Sequence, residues 1–295
     1  MQKILLIVNP VSGMNRARTA LPSILQTLCT GGKMVTVCMT EYAGHAEKLA
    51  SELGAGFDIV ACTGGDGTLS SVINGLMEVP AAVRPILGYI PLGTVNDMAT
   101  TYGIQKNPRM AAKRILEGKT IHLDVGRYSS GYFGYVIAFG AFTEVSYETP
   151  QDVKNVFGKL AYFAEGAANL QKLKPRHAVV EYDGGILEDD FLFGAVSNST
   201  SVAGILKIDP TVAVLDDGIF EVMLIRNPKN AVDLNDALSS IITQNYAGEN
   251  VMLLHSRKVK ITCDEPIAWT RDGEDGGKTV TMEAEVCHRA LRLLV

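Results

Sequence analysis

Six consecutive residues, Thr63-Gly64-Gly65-Asp66-Gly67-Thr68, bring glycines, hydroxyls and a carboxylate together between an apolar run and a helical pattern. Glycines lack Cβ and let the main chain close on an anion, and the free N–H groups at a following helix start carry partial positive charge. Such a turn can cradle phosphate. A carboxylate inside it would repel the phosphate unless a divalent cation stands between them, so Asp66 implies Mg2+ as well. The glycines alone suit an ordinary αβ turn equally. The acid favours the cradle, because open α/β sheets bind ligands at the carboxyl ends of their strands.

Two other turns in the first half carry related chemistry. Asn9-Pro10-Val11-Ser12-Gly13 follows the apolar Ile4 to Val8, and its Asn and Ser side chains can bond phosphate oxygens or simply cap the next helix. Pro91-Leu92-Gly93-Thr94-Val95-Asn96-Asp97 follows another apolar run and again joins Gly, a hydroxyl and an acid. Later, Asp272-Gly273-Glu274 places two carboxylates around a glycine, which a solvated turn explains as well as a site does. Val214-Leu215-Asp216-Asp217-Gly218-Ile219-Phe220 reads first as an acidic β-turn; a carboxylate flanked by turn carbonyls also suits a hard cation.

The elements that must position these turns alternate through the first half. Apolar runs at Lys3 to Val8 and Phe57 to Cys62 read as buried strands, with further strands at Met34 to Met39 and Pro85 to Ile90. Between them lie helical patterns: Leu21, Ile24, Leu25 and Leu28; the segment opened by Thr40 to Ala46 and running to Leu53; and Leu69, Val72, Ile73 and Leu76. His45 reads as a first-turn surface residue, since no second histidine stands at metal spacing. The alternation predicts a doubly wound parallel α/β domain with right-handed crossovers. From Thr120 short strands take over, at Ile121 to Gly126, Tyr132 to Phe139, Ala178 to Tyr182, Phe191 to Val196, Val212 to Leu215 and Phe220 to Ile225. They predict an antiparallel β-sandwich-like second domain. The borders expected are 1–122 and 123–289, with 290–295 returning to the first domain. Within the second, residues 151–173 form a helical insertion with an apolar face and nearby Lys154, Lys159 and Lys172. Packing on the sheet is the simpler account; a membrane-facing lid is the alternative.

Composition narrows the class. At 295 residues, 47% hydrophobic and 20% charged, the chain is globular and long enough for two domains. Five scattered cysteines without a CxxC pair read as reduced thiols in a cytosolic protein. A formal charge of −5 argues against a nucleic-acid binder, and no apolar run approaches the length of a membrane span.

Asn9 to Gly13, Gly64 to Thr68 and Pro91 to Asp97 together resemble the successive motifs of the diacylglycerol kinase catalytic domain family, which includes soluble bacterial lipid kinases and sphingosine and ceramide kinases. The Gly-Gly-Asp-Gly-Thr string is shared with NAD kinases and phosphofructokinases; Gly-Thr-x-Asn-Asp is far more specific. The resemblance implies an active site in the cleft between domains, where ATP is held by Asn9, Pro10, Ser12, Gly13, Thr40, Gly64, Gly65, Gly67, Thr68, Gly93, Thr94 and Asn96. Asp66, Asp97 and Asp124 would organise Mg2+ and water, and Asp272 or Glu274 would take the proton of a lipid hydroxyl. Asp217, with the carbonyls of Val214 and Ile219, resembles a structural Mg2+ site of the bacterial family. After Gly140, Ala141-Phe142-Thr143-Glu144 departs from the Gly-plus-acid pattern of many relatives on the lipid side.

Diacylglycerol is the lipid favoured, while a sphingoid base, phosphatidylglycerol and undecaprenol are also compatible with the sequence; the enzyme is expected to be cytoplasmic and peripheral at the inner membrane face, and a homodimer is compatible with the sequence. Two rivals stand beside this reading. An NAD kinase would share the glycine string, and a non-catalytic regulator of the same fold would be expected to lack acids that are all present here.

Overall fold

A computed structural model describes the chain except residues 95, 141–173, 203–205, 209–213 and 247. The expected helical insertion at 151–173, the departure at Ala141 to Glu144 and the first half of the strand expected at Val212 to Leu215 lie outside the described residues. The chain divides into two compact units: Met1–Val125 with Gly131–Gly134 and Cys287–Val295, and Gly126–Ser130 with Tyr135–Val286.

The first unit alternates as the apolar runs require. It contains β1 (Lys3–Val8), α1 (Ser12–Leu28), β2 (Met34–Met39), α2 (His45–Leu53), β3 (Ile59–Gly64), α3 (Asp66–Glu78), β4 (Ile86–Pro91), α4 (Asp97–Thr101) and α5 (Pro108–Glu117). The strands lie parallel in the order β4-β3-β1-β2. Ile4, Leu5, Leu6 and Ile7 are all inaccessible to solvent, as expected for a strand covered on both faces. One face packs Ile4, Leu6 and Val8 against Ala17, Ile24 and Leu28 of α1 and Ala111, Ala112 and Ile115 of α5. α2 and α3 pack on each other so closely that a Cβ on Gly75 would stand 2.2 Å from the Glu47 carbonyl oxygen.

Strand β5 (Thr120–Tyr128) leads out of this unit. The single strand expected over Tyr132 to Phe139 is instead two, β6 (Gly131–Phe133) and β7 (Val136–Gly140), and they belong to different units. The break has a local cause. Asn74 of α3 bonds both main-chain groups of Tyr132, at 2.9 Å each, and a Cβ on Gly134 would stand 2.7 Å from Ile73 Cδ1.

The second unit continues with β8 (Arg176–Tyr182), β9 (Gly185–Ser197), the short antiparallel pair β10 (Ser201–Val202) and β11 (Leu206–Lys207), and β12 (Phe220–Arg226). Helix α6 (Ala231–Thr243), β13 (Val251–Ser256) and the long strands β14 (Lys258–Arg271) and β15 (Glu274–Leu294) complete the order. Pairing is antiparallel throughout this unit. β8 bridges β9 and β14 at one end and β7 bridges them at the other, so the ladder circles back on itself in the manner of a sandwich or barrel. Phe139, Phe191, Phe193, Phe220 and Trp269 fill the interior.

Candidate functional site

The phosphate-cradle candidates sit on adjacent strand ends. Val8 is in register with both Met39 and Thr63, and Gly64 with Pro91, so the turns after β1, β2, β3 and β4 leave the sheet side by side. Thr40, beyond β2, donates its N–H to the Val8 carbonyl at 2.8 Å.

Two of these turns touch backbone to backbone. The N–H groups of Leu92 and Gly93 donate to the Gly64 carbonyl at 2.7 and 3.1 Å, and a Cβ on Gly93 would stand 2.5 Å from Gly65 Cα. Gly13 has φ +55°, and a Cβ there would lie 1.8 Å from the Leu92 carbonyl oxygen. Hydrogen is the only substituent this junction admits. The cap residues themselves, Val11 of α1 and Gly65 of α3, place no side-chain bond on the first N–H groups; at α1 it is Asn9 that accepts the Val11 and Ser12 N–H groups, and each helix start directs its partial positive charge at its turn. Asn9 serves the turn itself: its Nδ2 donates to Thr68 Oγ1 at 3.0 Å and its Oδ1 accepts from Val11 N–H at 3.2 Å. Ser12 Oγ donates to the Asn9 carbonyl at 2.9 Å. Thr94 is exposed, while Pro10, Gly65 and Gly67 are half-buried.

Asp66 opens α3 with a half-buried carboxylate whose two oxygens accept the N–H groups of Asp97 and Met98, at 3.1 and 3.3 Å. It thereby ties the start of α3 to the start of α4. Asn96, buried and left-handed at φ +56°, donates Nδ2 to the Gly93 carbonyl at 2.7 Å. Its Oδ1 accepts from the Tyr89 hydroxyl at 3.1 Å, which also lies 3.3 Å from the Gly64 carbonyl. Burial, with the negative charges of Asp66 and Asp97 adding, pushes the Tyr89 phenol far up, so it stays a neutral donor. Asp124 is fully buried and accepts from the main-chain N–H of Arg289, a residue at φ +49°.

In the second unit Asp272-Gly273 is the tight turn of the β14–β15 hairpin, with both residues left-handed at φ +50° and +84°. Those angles suit an Asp-Gly pair in a two-residue hairpin turn. Asp272 is buried; its Oδ1 accepts the N–H groups of Tyr135 and Val136, each at 3.0 Å, and its own N–H donates to the Val136 carbonyl at 2.9 Å. Glu274, next along, is exposed. Desolvation by the surrounding protein, with Asp272 adding and Arg271 opposing, lifts its carboxyl above the ordinary range. At the third acidic turn, exposed Asp217 accepts the Ile219 N–H at 3.0 Å, and Asn198 donates to the Leu215 carbonyl at 3.2 Å. Among the described residues no cluster of three or more His, Cys, Asp or Glu could hold a metal ion.

Tyr89 is the participant that motif reading passes over. Its signal was a phenol inside an otherwise aliphatic buried strand, where the hydroxyl must find a partner.

Comparison with known proteins gives this architecture its family. Residues 3–128 match the model of the diacylglycerol kinase catalytic domain, and residues 136–295 match the YegS C-terminal NAD kinase beta sandwich-like domain. The diacylglycerol kinase of Bacillus subtilis (strain 168) is 31% identical over 94% of this chain and 91% of its own. That of Staphylococcus saprophyticus is 34% identical over 92% of this chain and 89% of its own. A crystal structure of a diacylglycerol kinase from Bacillus anthracis str. Sterne superposes with a TM-score of 0.80 at 23% identity, covering 99% of this chain and 96% of that one; at that identity it bears on the fold alone. A second structure from the same strain reaches 0.83 at 26% identity, covering 99% and 95%. Both halves of the chain thus match one lineage: the chain belongs to the diacylglycerol kinase family of ATP-using lipid kinases.

Proposed function

We propose that this protein transfers the γ-phosphoryl group of ATP to the free hydroxyl of diacylglycerol, giving phosphatidic acid. The observation that carries the reading is the pair of helix starts, α1 and α3, entered through interlocked glycine turns after adjacent strands, with Asp66 opening α3 and accepting the Asp97 N–H. Relatives named diacylglycerol kinase over nearly the whole chain support diacylglycerol as acceptor and disfavour NAD.

The roles follow from the chemistry of the groups. N–H groups at the starts of α1 and α3, with the hydroxyls of Ser12, Thr40, Thr68 and Thr94, bind phosphate oxygens. Gly13, Gly64, Gly65, Gly67 and Gly93 admit the approach, and Pro10 and Asn96 fix the turns. The neighbouring carboxylates of Asp66 and Asp97 suit Mg2+, a cation that neutralises triphosphate charge when bound. Asp124, buried against the Arg289 backbone, positions rather than touches. Asp217 with the carbonyls of Val214 and Ile219 is a second, structural cation site; its exposed carboxylate keeps an oxygen beyond the one bonded to Ile219.

In the transfer step the lipid oxygen bonds to γ-phosphorus as the bond to the β,γ-bridging oxygen breaks, releasing ADP, while the hydroxyl proton passes to a carboxylate. Glu274 is that base. It is accessible and its affinity for protons is raised, whereas Asp272 is buried and bonded to two N–H groups. A base must be ionised to act, so the rate rises as pH rises through the elevated Glu274 pKa.

Among the described residues no helix is long and apolar enough to cross a membrane, and the protein meets its lipid at the cytoplasmic membrane surface as a peripheral protein, a homodimer being compatible with this but not required by it. The test is transfer of label from [γ-labelled] ATP, with Mg2+, to diacylglycerol vesicles, to NAD and to a mixed lipid extract with mass identification of products. Labelled phosphatidic acid is expected. Label in NADP, or none in any lipid, overturns the assignment.

A further inference from the structure

Beyond the last strand end of the cradle stands an aromatic pair to which the phosphate chemistry gives no task. Tyr42 is 56% exposed, yet its ring is not loose: it stacks on His45 with centroids 4.5 Å apart and planes 4° from parallel. His45 is itself pinned, its Nδ1 accepting the Glu41 N–H at 3.1 Å, and the turn closes with His45 N–H donating to the Tyr42 carbonyl at 3.2 Å. Gly44, left-handed at φ +83°, makes the turn and starts α2. An exposed aromatic side chain held by its neighbour presents one preformed flat face to solvent, with its ordering already accomplished before any ligand arrives.

Its location limits what would use that face. Thr40 is bonded to Val8, Asn9 follows Val8, and the Asn9 side chain bonds Thr68, so a continuous line of contacts runs from the phosphate turns to β2. Tyr42 lies two residues beyond Thr40, within about 7 Å of chain, at the outer end of that line. A nucleotide whose phosphates occupy the helix starts would extend its base away from them by several ångströms more.

We infer that Tyr42, braced by His45, is the platform on which the base of the nucleotide stacks, making this turn a determinant of affinity for ATP over a bare polyphosphate. The inference rests on the ATP-binding reading above and adds the residue that receives the base. Stacking of a base on an aromatic side chain contributes about 1–3 kcal/mol when measured by alanine substitution, so removing the platform should weaken binding by roughly 5- to 150-fold.

The test is calorimetric titration of the whole chain, without lipid, using MgATP and, separately, inorganic tripolyphosphate with Mg2+. Tyr42→Ala is expected to raise the Kd for ATP by roughly tenfold and to leave that for tripolyphosphate within twofold. Tyr42→Trp and Tyr42→Phe should restore ATP binding, and His45→Ala, which removes the brace, should fall between. Equal ATP affinity in Tyr42→Ala and the unaltered chain overturns the inference while leaving the kinase reading intact; parallel loss of both ligands shows a cradle defect and overturns it too. An unaltered chain that does not bind ATP removes both readings. Coincident thermal melts of the variants establish that each compared protein is folded.

Discussion

Asp66-Gly67 and Asp272-Gly273 are the same dipeptide, one in each unit, and each aspartate accepts two consecutive main-chain N–H groups. Their difference is in what remains. Asp66 gives one oxygen to each N–H and stays half-buried, its carboxylate bonded to the main chain at the start of α4. Asp272 uses one oxygen for both and is 1% exposed, closing a hairpin whose next residue, Glu274, faces solvent. A motif of acid and glycine therefore marks where a chain turns, and the acid's burial differs between the two turns.

The sharpest way to break this comparison is at Glu274. Glu274→Gln should lower the transfer rate by about 10²–10⁴ with unchanged ATP binding and an unchanged melting temperature. In the unaltered enzyme the acid limb of kcat against pH should lie above the ordinary carboxylate range, because the Glu274 pKa is raised, and the variant should lose that limb. Asp66→Asn comes next. It keeps an acceptor for the α4 start but removes the charge, and is expected to cost on the order of 10²–10³ in rate and to raise the Mg2+ concentration needed for half-activity. Unchanged ATP consumption in that variant would sink the ligand role given to Asp66.

At Asp272 the loss should appear as stability. Asp272→Ala leaves the Tyr135 and Val136 N–H groups buried without their acceptor and places alanine at φ +50°, which is expected to lower unfolding free energy by about 2–4 kcal/mol in denaturant titration. Asp272→Asn, which retains a carbonyl acceptor and tolerates the left-handed region, should cost about 1 kcal/mol and keep most activity. A large activity loss in folded Asp272→Asn would move the base from Glu274 to Asp272.

The two units were unequally legible. Strands buried on both faces are continuous apolar runs, so β1, β3 and β4 announce themselves, and glycine turns required by a 1.8 Å or 2.5 Å approach cannot be disguised by substitution. In the second unit the signals conflict. β14 alternates cleanly to Cys263, then exposes Asp264, Glu265 and Pro266 before resuming, and its pairing register shifts there. Helix α6 carries its own mark, an Asn230 cap followed by buried Leu234, Ala237 and Ile241, amid a pattern of strands that obscures it. The partners of Asp272 lie 136 and 137 residues away, a distance at which local pattern conveys nothing.

The far end of β15 has a consequence for biosynthesis. Leu293 pairs with Leu87, Arg84 donates to the Ala290 carbonyl at 2.7 Å, and Val295 N–H reaches the Lys119 carbonyl at 3.0 Å. The first unit thus awaits residues made after the whole second unit, and a ribosome extruding the chain in order would leave the edge of β4 unmatched for most of translation. Nascent chains stalled before Cys287 should accordingly be cut by protease near β4, and complete ones protected.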